Sequence, residues 1–328
     1  ICRRATYTRY GRSALFFLHI NAPAVRNNII TIRTRTKNKF CAVVKANAYG
    51  HGLELCKYID DLVDCYAVAW SCEAEALCNY TSKDIYVLNS DYDIGKKNII
   101  YSAATKKDLL HKRICVKINT GMNRNGIYPQ EFNDFIARRP LYTEIESVYT
   151  HFCSVEYAKK QFEAFDTLNF PVKHCCASNC MVLPTKYFKD MVRVGLAMYG
   201  YDYSLSPCMS VKAAISAVLS VKKGEHIGYG NFLAPVDMKI AVLEAGYADG
   251  LRRCENFFEV GGTVCKTVGS ICMDVCMVDV SECEFVPKQA IFIGDRLKID
   301  DVAKRYGTIP YEVLTAFNGR NRRMYATD

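Results

Sequence analysis

The chain has 328 residues, half of them hydrophobic, and a formal net charge of +9. That length can bury two cores, or one large barrel and a smaller domain. No apolar run approaches the roughly 20 residues of a membrane-spanning helix, no secretory leader pattern opens the chain, and no nucleic-acid-binding motif accompanies the basic excess.

Much of that excess lies early, at Arg3, Arg4, Arg9, Arg12, Arg26, Arg33, Arg35, Lys37 and Lys39. It reads as a solvated basic face, or more sharply as a segment beside an anionic membrane surface. The chain does not begin with Met and is expected to be a piece of a longer one. None of the 17 cysteines is in Cys-x-x-Cys spacing. They read as small buried hydrophobes in a reducing compartment, with no metal site expected.

In chain order, short β-rich runs alternate with longer mixed segments. A weak run at Leu15–Ile20 is followed by Phe40–Val44, Cys65–Trp70, Asp84–Asn89, Ile114–Asn119, Glu146–Phe152, Val172–Ala177 and Val192–Tyr199. Helix-like stretches fall between them, as at Ser71–Leu77 and Lys159–Phe165. Repeated βα units of this rhythm predict an α/β fold with a (β/α)8 TIM-like barrel over residues 14–212. A doubly wound sheet is the alternative, but no Gly-x-Gly-x-x-Gly follows the first strand. Polar residues at the C-terminal ends of the runs, Lys45, Lys117, His151, Ser178 and Arg193, stand where barrel enzymes carry their sites. From about residue 213 strand-like runs follow one another at 214–222, 239–245, 257–260, 276–280 and 290–293, with helical pattern near 299–306 and 311–318. A smaller, mostly β C-terminal domain is expected over 213–328, with residues 1–13 packing on it.

The most informative string is Cys41-Ala-Val-Val-Lys45-Ala-Asn-Ala-Tyr49-Gly-His51-Gly. An apolar strand ends in a lysine, and a glycine-bracketed loop follows. Desolvation at such a strand mouth lowers the lysine pKa from about 10.4 and frees the amine as nucleophile or base.

The string resembles the cofactor-lysine motif of the alanine racemases, enzymes that use pyridoxal 5′-phosphate. The resemblance implies that Lys45 anchors the cofactor and that Tyr49 reaches its phosphate. Lys117-Ile-Asn-Thr-Gly-Met-Asn-Arg124 resembles a second family segment, in which Arg124 would lie beside the cofactor phenolic oxygen and the substrate carboxylate, and Lys117 would be carbamylated. Tyr149-Thr-His151-Phe and Met191-Val-Arg193-Val-Gly195-Leu196 imply an arginine facing the pyridine nitrogen, supported by His151, with Ser178, Gly195 and Leu196 at the phosphate. Ile227-Gly-Tyr229-Gly resembles the segment of the second catalytic base. Ala245-Gly-Tyr247-Ala-Asp-Gly and Ile271-Cys-Met273-Asp274 imply substrate contacts from Tyr247, Met273 and Asp274. Racemisation needs a base on each face of the substrate Cα, so Lys45 and Tyr229 form the expected pair.

In the family these second-domain strings act across a homodimer interface, which implies shared active sites, a small amino-acid substrate and no nucleic-acid partner. Two departures stand out. Ser270 replaces the family's usual Arg, and Asn318 stands where alanine racemases often carry a Tyr before Arg-x-Pro-Arg. A roomier, more polar pocket implies serine as well as alanine. Together with the basic start, this resembles the catalytic domain of the membrane-anchored serine/alanine racemases of vancomycin-resistant bacteria. Such an enzyme would work in the cytoplasm, supplying D-amino acids for peptidoglycan precursors, with any anchor before residue 1. A decarboxylase of the same plan and a non-catalytic pyridoxal-phosphate binder are the competing readings.

Overall fold

The computed structural model describes residues 16–201, 205–317 and 319–327. The chain divides into two compact units, one spanning Ala22–Pro207 and the other joining the segment that ends at Asn21 to the chain from Cys208 onward.

The first strand, β1 (Phe16–Asn21), runs straight into the helix Ala22–Thr34. That adjacency is why it reads as the opening of a barrel. Its backbone is instead paired on both sides within the second unit, antiparallel to β10 (Met209–Val221) and parallel to β16 (Arg322–Ala326). A strand whose two edges are taken cannot join another ladder. The barrel therefore starts at Ala22, not at residue 14, and ends at Pro207, not 212. Residues 1–13 lie outside the described residues.

Eight parallel strands form the first unit: β2 (Lys39–Val43), β3 (Cys65–Val68), β4 (Ile85–Val87), β5 (Ile99–Ala103), β6 (Arg113–Lys117), β7 (Glu144–Tyr149), β8 (Lys173–His174) and β9 (Met191–Val194). The hydrogen-bonded order is β8-β7-β6-β5-β4-β3-β2-β9. A bridge between Ala177 and Arg193, with Arg193 N donating to Cys176 O at 3.0 Å, closes the ring. β5 is the eighth strand that the sequence reading misses. Its five residues, Ile-Ile-Tyr-Ser-Ala, are all buried, as parallel strands covered on both faces must be.

The helix Ala22–Thr34 lays Val25, Ile29 and Ile32 inward. Its basic side is not simply solvated. Arg26 forks onto Asp61 at 2.5 and 2.8 Å, and Arg33 binds Asp64 at 2.7 Å. Arg3, Arg4, Arg9 and Arg12 lie outside the described residues.

The second unit is an eight-stranded sheet ordered β11-β14-β13-β12-β15-β10-β1-β16, with β10 also pairing with β11. The remaining strands are β11 (Met238–Leu243), β12 (Phe257–Val260), β13 (Thr263–Val268), β14 (Cys276–Asp279) and β15 (Gln289–Ile293). β10 can serve both ends of this sheet because it is long and irregular, with breaks in register at Ile215/Ala217 and Val211/Lys212. Phe16, Phe258, Phe292 and Phe317 form a chain of ring contacts at 5.1–6.2 Å in its core. Helices Ile299–Arg305 and Pro310–Ala316 bury Ile299, Val302, Val313 and Leu314. No helix among the described residues is long and apolar enough to cross a membrane.

Because β1 belongs to this core and Leu18 is fully buried, Leu18→Ala should destabilise the protein by about 2–5 kcal/mol. Denaturant unfolding checks this, and the loss should appear in the transition of the β unit.

Candidate active site

β2 delivers Lys45 to the C-terminal end of the barrel, and the turn that follows is unusual. Ala46, Asn47, Ala48 and Tyr49 all have φ between 52° and 54°. Left-handed backbone costs a non-glycine residue about 1–2 kcal/mol, so four in succession must be held. Ala46 N donates to Glu73 Oε1 at 2.6 Å, Ala48 N to Val44 O at 2.8 Å, and Leu53 N to Asn47 Oδ1 at 2.9 Å. Nδ1 of His51 lies 3.0 and 3.1 Å from the carbonyls of Ala48 and Tyr49. Carbonyls only accept, so Nδ1 carries the proton. The His51 ring stacks on Tyr199 at 4.2 Å.

The turn ends by bringing Tyr49 against Gly195. A Cβ on Gly195 would stand 2.6 Å from the Tyr49 hydroxyl, so glycine is required for this approach. Ser178 completes the corner, its Oγ accepting from Gly195 N at 2.9 Å and Ala197 N at 3.3 Å. Leu196 follows directly and is buried. Two hydroxyls and a run of backbone amides at one strand end are the donor set a phosphate needs.

Arg193, on β9, is 4% exposed. Its Nη1 lies 2.5 Å from His174 Nδ1, and its Nη2 donates to Thr150 O at 2.7 Å and to Cys175 O at 3.3 Å. A guanidinium can only donate, so His174 Nδ1 is bare, and its Nε2–H donates to Ser147 Oγ at 3.0 Å. Burial first, then Arg193, hold His174 well below the usual histidine range, and it stays neutral. His151, expected to support Arg193, is the more distant partner, with Nδ1 at 3.5 Å from Nη2. His174 is the nearer of the two histidine partners. It is a lone histidine in an apolar strand, and nothing in its spacing marks it out. Among the described residues the hydrogen-bond partners of Arg193 fall on Nη1 and Nη2.

Lys117 ends β6 and is buried. Its ammonium and the Arg193 guanidinium lie over the Tyr149 ring at 5.4 and 5.2 Å. Burial, followed by Arg124 and Arg193, pushes the Lys117 amine down to about 7. Arg124 is exposed on the next loop. That loop is shaped by Asn119 Oδ1, which accepts from Gly121 N and Asn123 N at 3.1 Å each. Burial and then Arg124 also lower the Lys45 amine, against an opposing pull from Glu73. Half-buried His151 is held well below its usual value by burial, then by Arg193, Arg124, Lys117 and Lys45. The barrel end thus gathers Lys45, Tyr49, Lys117, Arg124, His151, Ser178, Arg193, Gly195 and Leu196.

The other expected residues belong to the second unit. Tyr229 lies at the tip of a hairpin closed by the His226–Leu233 bridge and is 73% exposed. The loops of Tyr247 and Met273 are stitched together, Tyr247 N donating to Cys272 O and Ala248 N to Met273 O at 3.0 Å each. Gly246 permits this, because a Cβ there would be 2.2 Å from Met273 O. Arg320 locks the pair, binding Asp249 at 2.8 and 3.2 Å and Asp274 at 2.7 Å. Asp274 is therefore engaged by Arg320. Asn318 lies outside the described residues. Glu73 and Arg320 are the organising side chains the sequence reading missed. Glu73 has the spacing of a helix-capping glutamate, and Arg320 has no local signal.

Two family profiles match the chain, one over each unit. The family profile described as "Alanine racemase, N-terminal domain" matches residues 20–203, and "Alanine racemase, C-terminal domain" matches 208–325. An alanine racemase of Methanococcus maripaludis is 32% identical, the alignment covering 93% of this chain and 97% of the relative. A solved alanine racemase of Clostridium difficile is 27% identical with TM-score 0.88, covering 96% of each chain. One from Bartonella henselae, described with covalently bound pyridoxal phosphate, shares the fold at 24% identity and TM-score 0.85, covering 96% of this chain and all of that one (100%).

The buried Lys117 amine generates a stability prediction. Its folded pKa lies below its ordinary 10.5, so the unfolded chain binds the extra proton between about pH 7 and 10.5. The charged amine costs stability below pH 7, and that cost disappears as pH rises through the window. In bicarbonate-free buffer Lys117→Met should therefore gain most in melting temperature over the parent below pH 7. Its advantage should shrink towards pH 10.5, read by thermal unfolding of both proteins against pH.

Proposed function

The chain belongs to the alanine racemase family, and from that premise we propose that it interconverts the enantiomers of alanine, and of serine, with pyridoxal 5′-phosphate held at the barrel's C-terminal end. The observation that carries this reading is the convergence of a depressed Lys45 amine, a buried Arg193 donor and the Tyr49–Ser178–Gly195 corner on one strand-end surface. These residues fit the cofactor. Lys45 would anchor it, Arg193 would donate to the ring nitrogen, and Tyr49, Ser178 and the Gly195 and Leu196 amides would hold the phosphate. When bound, pyridoxal phosphate supplies the electron sink that acidifies the substrate Cα–H.

The protein's own part is proton placement. Nζ of Lys45, made less basic by burial and Arg124, takes or returns the Cα proton on one face. Oη of Tyr229 of the partner subunit serves the other. One base cannot reach both faces, and inversion needs two. Arg193 carries no transferable proton because its guanidinium stays charged, so it would hold the cofactor's ring nitrogen by a hydrogen bond alone. Arg124 offers a guanidinium to the substrate carboxylate. The near-neutral Lys117 amine takes up CO2 and releases a proton, and the resulting carbamate orients Arg124. His151 stands by as a neutral neighbour of Arg193.

A second copy of the chain completes each site in this account. Tyr229, Tyr247 and Met273 are large side chains left exposed on the second unit, as residues awaiting a partner's barrel would be. Tyr247, Met273 and Asp274 would close over the substrate. The serine activity rests on sequence: Ser270 and Asn318 replace bulkier family residues and leave room and a polar group. The same departures support kinship with the serine/alanine racemases of vancomycin-resistant bacteria, a cytoplasmic site of action and a role in peptidoglycan precursor supply.

Tyr229→Phe should keep the visible absorbance of bound cofactor while racemase activity falls by about a thousandfold or more; a chiral product assay with added cofactor reads this. In the parent, serine turnover should come within about a hundredfold of alanine turnover, because a site built to pair a hydroxyl does not reject it. The same assay run on both substrates decides it.

A further inference from the structure

We propose that Glu73 is the positioning residue that keeps the Lys45–Tyr49 turn left-handed, and so aims the anchoring lysine and the phosphate-binding tyrosine at one cofactor. The inference rests on the cofactor reading above and goes beyond it, since Glu73 needs no contact with cofactor or substrate.

Both oxygens of the Glu73 carboxylate are committed to backbone. Oε1 accepts from Ala46 N at 2.6 Å, the first left-handed residue. Oε2 accepts from Ala69 N at 2.7 Å and Trp70 N at 3.1 Å, at the end of β3. The carboxylate therefore staples the turn after one barrel strand to the end of its neighbour. Three amides aimed at one side chain require an acceptor on both of its oxygens. Glutamine supplies one acceptor and turns a donor towards amides that can only donate. Four non-glycine residues at φ 52–54° will not hold that form without such over-determination. If the turn relaxes, Lys45 stays just past the end of β2, but Tyr49 leaves the Gly195 corner. Phosphate recognition should fail while the lysine remains reactive.

The test compares two probes on the full chain stripped of cofactor: pyridoxal 5′-phosphate and pyridoxal, which lacks the phosphate. The parent should prefer the phosphorylated probe by about tenfold or more, since charge-assisted hydrogen bonds to phosphate are at stake. Glu73→Gln should reduce that preference to within about twofold, with the loss falling on the phosphorylated probe. Adding Ala46→Gly and Ala48→Gly, which remove the steric objection to left-handed backbone, should restore the preference. They should also restore folding if Glu73→Gln alone does not fold. The inference is overturned if Glu73→Gln keeps the parental preference, if both probes weaken equally, or if the glycines restore nothing. If the parent binds neither probe, or Lys45→Ala binds both as well as the parent, it is the cofactor reading that fails.

Discussion

The barrel end is organised by the cost of holding several cations out of water. Burial is the larger cause that depresses the Lys45 and Lys117 amines; Arg124 adds to it at both and Arg193 at Lys117, while Glu73 pulls Lys45 the other way. Like charges at low dielectric are unfavourable unless something relieves them. Arg193 is relieved by neutral acceptors: His174, Thr150 O and Cys175 O. Lys117, its amine pushed down to about 7, is relieved by giving up its proton above that pH. Glu73 is an acid beside these cations, and a phosphate, a substrate carboxylate and a carbamate are three further anions that the proposed chemistry would bring.

The second unit, around its own core, leaves Tyr229, Tyr247 and Met273 exposed. Tyr229 stands at a hairpin tip, and the Tyr247 and Met273 loops are fixed to each other by backbone bonds and by Arg320. An exposed aromatic on a rigid support suits an interface.

Much of this is legible in the sequence, and the limits have physical causes. Barrel strands buried on both faces read as continuous apolar runs, and the strands around Lys45, Lys117, His151 and Arg193 are found this way. β1 reads as a barrel strand because local pattern carries no information about which ladder its edges join. β5 is missed because that place in the count is already taken. β13 and β16 carry Lys, Thr and Arg on half-exposed faces and give weak signals. At the site, short strings with several fixed residues mark the groups proposed to touch cofactor or substrate. His174 and Arg320 act on partners far along the chain, and Glu73, beside its local helix-start bonds, reaches across to Ala46. Only coordinates reveal them, and only coordinates reveal the left-handed turn that four ordinary residues adopt.

The central claim is that two different bases, Lys45 and Tyr229, serve opposite faces of one carbon. Solvent-deuterium exchange at the substrate Cα in the Tyr229→Phe protein tests it most directly. The account predicts that one enantiomer of alanine exchanges its α-hydrogen with retention of configuration, while the other neither exchanges nor inverts. Equal exchange of both enantiomers, or deuterium appearing in the inverted product at the parental rate, would contradict it.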